Sequence, residues 1–271
     1  MKTIFLLGCG KMGRALVKGW LKSNEINKII IIEPVEQDFS DLKDDKTKIV
    51  IYKSIKHLAS YNIIDVLVLA VKPQKIENIL LELKPLSKRF KLIISIIAGI
   101  KIDKYEKYLG KSIPIIRAMP NTPASEGEGI TAIVKNKICN QESFEYSRLI
   151  LKSIGEVVSL NTEFQIDAVT AVSGSGPAYF FYFVEALINA AKKLGLEDEL
   201  AYKLAISTFI GSGILAKNLN QSLVELRKSV TSPGGTTEAG IKKLIENDNL
   251  FKILENAVQS AHQRSIEIGN K

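Results

Sequence analysis

The sequence predicts two domains of different class, an α/β domain built on a parallel sheet and an all-α domain after it. Three observations carry this. Over about the first 160 residues, short Ile/Val/Leu runs alternate with helical stretches, the texture of a parallel sheet covered on both faces. After Asn161 strand-like runs stop and helical patterns dominate. The first strand-like run leads directly into Gly8-Cys9-Gly10-Lys11-Met12-Gly13 and then into a helix-like run from Arg14 to Leu21. The expected division is residues 1–161 and 162–271.

Taken in order, strands are expected at 3–7, 28–32, 49–51, 65–70, 92–96 and 113–117, with helices at 11–23, 73–83 and 103–109. Segments 129–134 and 155–160, around a helix at 141–153, extend the sheet. Helices at 164–172, 178–194, 198–218, 223–228, 237–246 and 250–268 make the second domain. The pattern at 178–194 is apolar around most of its circumference. Such a helix must be buried by neighbours, which makes a homodimer a fair expectation beside a self-contained bundle.

The glycine turn is the most informative motif. Strand, G-x-G-x-x-G and helix together form the dinucleotide-binding fingerprint of the Rossmann type. Gly8 allows the tight turn, Gly10 the approach of a pyrophosphate, and Gly13 close packing of helix on strand. The pyrophosphate then meets the positive end of the helix at Lys11 and Met12. Glu33 ends the run Ile29-Ile30-Ile31-Ile32, twenty residues beyond Gly13, where an acid accepts hydrogen bonds from the ribose 2′-OH. A 2′-phosphate there would face a like charge, at about 4 kcal/mol for 4 Å and an effective dielectric of 20. NADH is therefore favoured over NADPH.

Further segments combine Gly, Pro and small polar residues. Ala70-Val71-Lys72-Pro73 and Ala98-Gly99 follow the fourth and fifth strands, the strand ends outside which ligands bind in open α/β sheets. Arg117-Ala118-Met119-Pro120-Asn121-Thr122-Pro123 holds an Asn between prolines, rigid enough to present its side chain to a nicotinamide, though Asn also simply forms turns. Ser173-Gly174-Ser175-Gly176-Pro177-Ala178 opens the long apolar helix. Ser232-Pro233-Gly234-Gly235-Thr236-Thr237 precedes another helix, a cluster of amides and hydroxyls suited to a carboxylate, or to a plain helix cap.

Composition excludes several classes. The chain has 271 residues, a net charge of +8 spread over scattered lysines, two cysteines and two histidines. No aromatic-basic interleaving accompanies the charge, so no nucleic-acid partner is expected. No apolar run reaches the ~18 residues that span a bilayer, so no membrane partner is expected. Cys9 lies inside the glycine turn, which argues against a disulfide framework and for a reducing, cytoplasmic setting. His57 and His262 lie outside every motif, and no metal is expected.

Together these segments resemble the pyrroline-5-carboxylate reductase family over nearly the whole chain, through G-C-G-K-M-G, A-V-K-P-Q, A-G, R-A-M-P-N-T-P, S-G-S-G-P-A and S-P-G-G-T-T. The resemblance implies a Rossmann domain followed by an all-α dimerisation domain, assembled as dimers and rings of dimers. It implies reduction of L-1-pyrroline-5-carboxylate to L-proline with NAD(P)H. By the same resemblance, Gly8, Gly10, Lys11, Met12 and Gly13 hold the pyrophosphate, while Ala70, Lys72, Pro73, Ala98, Gly99 and Asn121 line the nicotinamide half. Ser232, Gly234, Gly235, Thr236 and Thr237 hold the substrate carboxylate, with the Thr237 hydroxyl near the imine nitrogen as the catalytic group. NADPH-favouring members place small polar or basic residues after the second strand, a pattern that Glu33 and residues 54–57 do not match. Two rivals remain, a non-catalytic NAD-binding redox sensor and a related imine or hydroxyacid dehydrogenase.

Overall fold

The computed structural model describes residues 2–42 and 48–269. The chain forms two compact units, one of Met1–Ser175 with Ala261–Lys271, the other Gly176–Ser260. The elements of the first begin β1 (Lys2–Leu7), α1 (Lys11–Leu21), β2 (Ile26–Ile32), β3 (Lys48–Tyr52), β4 (Val66–Leu69) and α2 (Ile76–Leu83). They continue as β5 (Ile93–Ser95), α3 (Ile102–Leu109), β6 (Ile115–Met119), β7 (Gly129–Lys135), α4 (Gln141–Lys152), β8 (Gly155–Ser159) and α5 (Gln165–Val169). The remaining helices are α6 (Gly176–Lys193), α7 (Asp198–Asn218), α8 (Leu223–Ser229), α9 (Thr236–Ile245) and α10 (Asn249–Gly269). An α/β domain followed by an all-α region is thus what the sequence forms.

The strands make one sheet in the order β3-β2-β1-β4-β5-β6-β7-β8. Its first six strands are parallel. β7 runs antiparallel to β6 and parallel to β8. The reversal follows from the short connection at 120–128, which leaves no room for the crossover a parallel neighbour needs. Alternation along β1 sends Ile4 and Leu6 to a core with Leu16, Trp20 and Leu151. It sends Phe5 and Leu7 to the opposite core, with Leu80, Leu83 and Tyr105. Both faces are therefore covered. Trp20 is fully buried, and its indole N–H donates to the carbonyl of Ile150 at 3.0 Å.

Compactness groups α5 and the end of α10 with the sheet, although both follow the residues where strands cease. Ile166 of α5 joins the sheet's core. Ser265 of α10 donates to the Asp167 carboxylate at 2.7 Å, with both side chains buried. Gly99 has a φ of 77°, and a Cβ on it would meet Ile268 at 2.6 Å.

In the second unit the single chain does not enclose the apolar helix expected at 178–194. In α6 only Gly176 and Val184 are buried, while Phe181 is 65% and Tyr182 73% exposed. Its principal neighbour is α7, reached through rings such as Phe180 on Phe209, 5.8 Å apart. One helix cannot cover an all-round apolar surface, and that is why the single chain leaves it open.

Candidate active site

The glycine turn owes its shape to contacts that side chains would destroy. Gly8 has a φ of 89°, and a Cβ there would lie 2.7 Å from the carbonyl oxygen of Ala70. A Cβ on Gly13 would lie 2.6 Å from the Gly8 oxygen, so α1 seats directly on the turn. Gly10 is different: nothing lies within 4 Å of its would-be Cβ, which leaves its backbone open to a ligand. α1 opens with neither a capping side chain nor an acid in its first turn. Its first amides lack intrahelical partners and form the positive end of the helix dipole, a fit for an anion.

A cavity of about 640 Å³ lies beside the turn, lined in part by Gly8, Gly10, Glu33, Ala70, Lys72 and Ile55. Glu33 follows β2 and is 9% exposed. Its Oε2 accepts the Cys9 amide at 2.8 Å, and its Oε1 accepts the Val35 amide at 3.0 Å. The carboxylate is thus fixed at the wall of the cavity and joins the glycine turn to the end of β2. Burial pushes the Cys9 thiol up to about 11, so it stays protonated at neutral pH and is no nucleophile. A Gly-walled opening, an uncapped helix end and a fixed acceptor suit a dinucleotide.

The other sequence-derived positions fall in different places. Lys11, Met12 and Gly13 form the first turn of α1. Pro73 begins a 3-10 turn after Lys72. Pro73, Ala98, Gly99 and Asn121 are not among the residues lining the cavity. Asn121 uses its side-chain oxygen to accept the Ile130 amide at 2.9 Å, which ties the proline loop to β7.

In the second unit, Gly234 has a φ of 71°. Its amide donates to the Glu238 carboxylate at 2.9 Å, and the Gly235 amide donates to the Ser232 carbonyl at 3.0 Å. Glu238 in turn pairs with Lys242 at 3.4 Å. Two loop amides are thus engaged within the loop, and the amides of Thr236 and Thr237 belong to the unpaired first turn of α9. Thr237 is exposed.

Three features escaped the sequence reading. Residues 173–178 do not simply open a helix. A wide π turn at Thr170–Gly174 links α5 toward α6, closed by the Ser175 amide on Thr170 at 2.9 Å. Such single turns recur at functional sites. Arg117 is 2% exposed and donates to Glu163 at 2.8 Å, while the same Glu163 oxygen accepts the Ile102 amide at 2.9 Å. Its signal was available, an Arg inside an apolar strand, since buried charges are paired. Arg14 is the third: it donates to Gln37, a residue lining the cavity and 23 positions away, a contact that no local spacing could reveal.

Known proteins accord with this geometry. A family profile described as pyrroline-5-carboxylate reductase dimerisation matches residues 163–268, and one described as NADP oxidoreductase, coenzyme F420-dependent, matches residues 3–99. The pyrroline-5-carboxylate reductase of Pseudomonas aeruginosa is 42% identical over 207 residues, 76% of each chain. That of Methanosarcina acetivorans is 36% identical over 275 residues, covering 100% of this chain and 99% of its own. Among solved structures, the Coxiella burnetii pyrroline-5-carboxylate reductase superposes with a TM-score of 0.89 at 37% identity, covering 98% of this chain and 97% of its own. The Plasmodium falciparum pyrroline carboxylate reductase, with NADP bound, gives 0.85 at 34% identity, covering 99% and 98%. A likeness of this extent over the whole chain makes it a member of the pyrroline-5-carboxylate reductase family.

Proposed function

We infer that the chain reduces L-1-pyrroline-5-carboxylate to L-proline with NAD(P)H, the last step of proline biosynthesis. Family membership along the whole chain carries the reading, and the cavity beside the glycine turn supplies the cofactor end. When bound, the dihydronicotinamide supplies the hydride.

The chain's own residues supply orientation. We assign the pyrophosphate to the amides of residues 10–13 at the start of α1. The nicotinamide half falls to Ala70, Lys72, Pro73, Ala98, Gly99 and Asn121. Ser232, Gly234, Gly235 and Thr236 are proposed to hold the substrate carboxylate. Thr237 is the catalytic group proposed, its hydroxyl held to the imine nitrogen. A cyclic imine can be protonated before reduction, so no histidine base is required. Positioning of this kind contributes roughly 7–11 kcal/mol toward the barrier.

NADH is the proposed preference, because the fixed Glu33 carboxylate accepts a ribose hydroxyl and repels a 2′-phosphate. The proposed assembly is a homodimer, with rings of dimers as its larger form, and the exposed face of α6 supports the first step. Two free buried thiols suit a reducing cytoplasm. Among the described residues no helix is long and apolar enough to cross a membrane.

The test is oxidation of NADH, and separately NADPH, by the purified protein with pyrroline-5-carboxylate. Faster oxidation of NADH is expected. A preference for NADPH would remove the argument from Glu33 and leave the reaction standing, whereas cofactor binding without turnover would favour a redox sensor. Thr237→Ala is expected to lower turnover about 10²-fold or more while NADH affinity changes less than about twofold. Unchanged turnover would remove Thr237 from the chemistry.

A further inference from the structure

A 2′-phosphate is recognised by cations, above all by a guanidinium that meets its oxygens two at a time. Arg14 provides such a group beside the cavity wall, one hydrogen bond behind a residue that lines it. Its Nη2 donates to Gln37 Oε1 at 3.0 Å, and Gln37 lines the cavity together with Glu33. The same nitrogen donates to the Asp38 carbonyl at 2.6 Å, and the guanidinium lies 4.9 Å from the centre of the Phe39 ring. These contacts fix its plane.

Its charge is nevertheless spoken for. Asp41 places Oδ1 2.5 Å from Arg14 Nη1 and Oδ2 2.9 Å from Lys18 Nζ. Lys18, through its hydrogen bond, and then Arg14 hold the Asp41 carboxyl below its ordinary value, so it is charged at neutral pH. One carboxylate thus spans two cations as a phosphate would.

We propose that Asp41 sets the preference between the two nicotinamide dinucleotides by occupying Arg14 and Lys18, a cation pair that a 2′-phosphate would otherwise use. The proposal rests on reading the cavity as the dinucleotide site. It gives the two acids separate tasks. Glu33 repels the phosphate from a fixed position, because both its oxygens are held by backbone amides. Asp41 withholds the attraction. A carboxylate at the end of β2 is therefore only one part of the selectivity, and removing Asp41 alone frees two positive charges with Glu33 still in place.

The test needs no turnover. Calorimetric titration with 5′-AMP and with adenosine 2′,5′-bisphosphate compares the same nucleoside without and with the 2′-phosphate. Asp41→Asn is expected to improve the affinity ratio for the bisphosphate about tenfold, the scale of a close charge interaction in partly screened surroundings. Raised salt should shrink the gain, since such charges are screened beyond about 10 Å at 0.1 M. Adding Arg14→Gln to Asp41→Asn should abolish it. Asp41→Ser repeats the test with a smaller side chain, and circular dichroism checks that each variant is folded.

A ratio within about twofold of the parent in both folded Asp41 variants would overturn the proposal, as would a gain that survives loss of Arg14. Glu33→Gln separates the two readings: a shift there with none at Asp41 defeats the role given to Asp41 and keeps the cavity as the nucleotide site. Failure of the parent protein to bind either probe would overturn both.

Discussion

Trp20 and Phe181 are both large aromatics on helices, yet Trp20 is fully buried while Phe181 is 65% exposed. The contrast runs through their surroundings. In the sheet-bearing unit each face of the sheet has a continuous core, with Ile29, Ile31 and Val68 on one side and Ile30, Leu67 and Ile93 on the other. In the helical unit, exposed apolar side chains recur along α6 and α7, as at Phe180, Phe183, Tyr202, Leu204, Ile210 and Ile214. A groove of about 480 Å³ between these helices, lined by Phe181, Val184, Ile188, Tyr202 and Phe209, is almost wholly apolar. The difference shows two ways of finishing a core. A sheet with helices on both faces closes within one chain, whereas two long helices that are apolar all round leave surface for a second copy.

The largest effect expected from this comparison is at Phe181. In a lone chain Phe181→Asp would be nearly silent, as surface changes usually are. In a two-fold interface each substitution acts twice, so the dimer should lose about 6 kcal/mol or more and dissociate. Sedimentation velocity distinguishes the two. Trp20→Ala, in the closed core, should cost about 4 kcal/mol of folding stability, from lost burial and from the Ile150 carbonyl left without its donor. Urea unfolding monitored by far-ultraviolet circular dichroism measures it, and a loss below about 1 kcal/mol would contradict the packing described.

Gly8→Ala is next. It forces a side chain onto a φ of 89° and against the Ala70 carbonyl, so NADH affinity should fall about thirtyfold, or about 2 kcal/mol, by calorimetry. The smallest effect lies at Cys9. Its thiol is raised from 9.0 to about 11 by burial, so folding favours the protonated form. That contribution is complete below the unfolded value and is lost as pH rises from about 9 toward 11. The parent should therefore lose stability over this alkaline window more steeply than Cys9→Ser. Identical slopes would mean that the thiol does not titrate as its burial requires.

Most of the fold was legible because local pattern and final environment agree. The Ile29–Ile32 run reads as a doubly covered strand and is one, and 198–218 reads as a helix with the bounds of α7. β7's direction was not readable, since strand propensity carries no sign and only the short connection before it decides. The shape of the glycine turn was legible because the spacing of Gly8 and Gly13 encodes its positive φ and close helix seat. The engagement of Glu33 by the Cys9 amide, of Asn121 by the Ile130 amide, and of Arg14 by Asp41 was not. These partners are separated in sequence by 24, 9 and 27 positions and meet only once the chain has folded. The exposure of α6 shows a further limit, because an apolar pattern says that a surface will be buried but not by which chain.

The measurement that tests this contrast most directly is sedimentation velocity of the purified protein over a dilution series, with pyrroline-5-carboxylate-dependent NADH oxidation assayed on the same samples. The account predicts a species of at least two chains that carries the activity, with specific activity falling where dilution yields monomer. A monomer that stays folded and fully active at every concentration would contradict it.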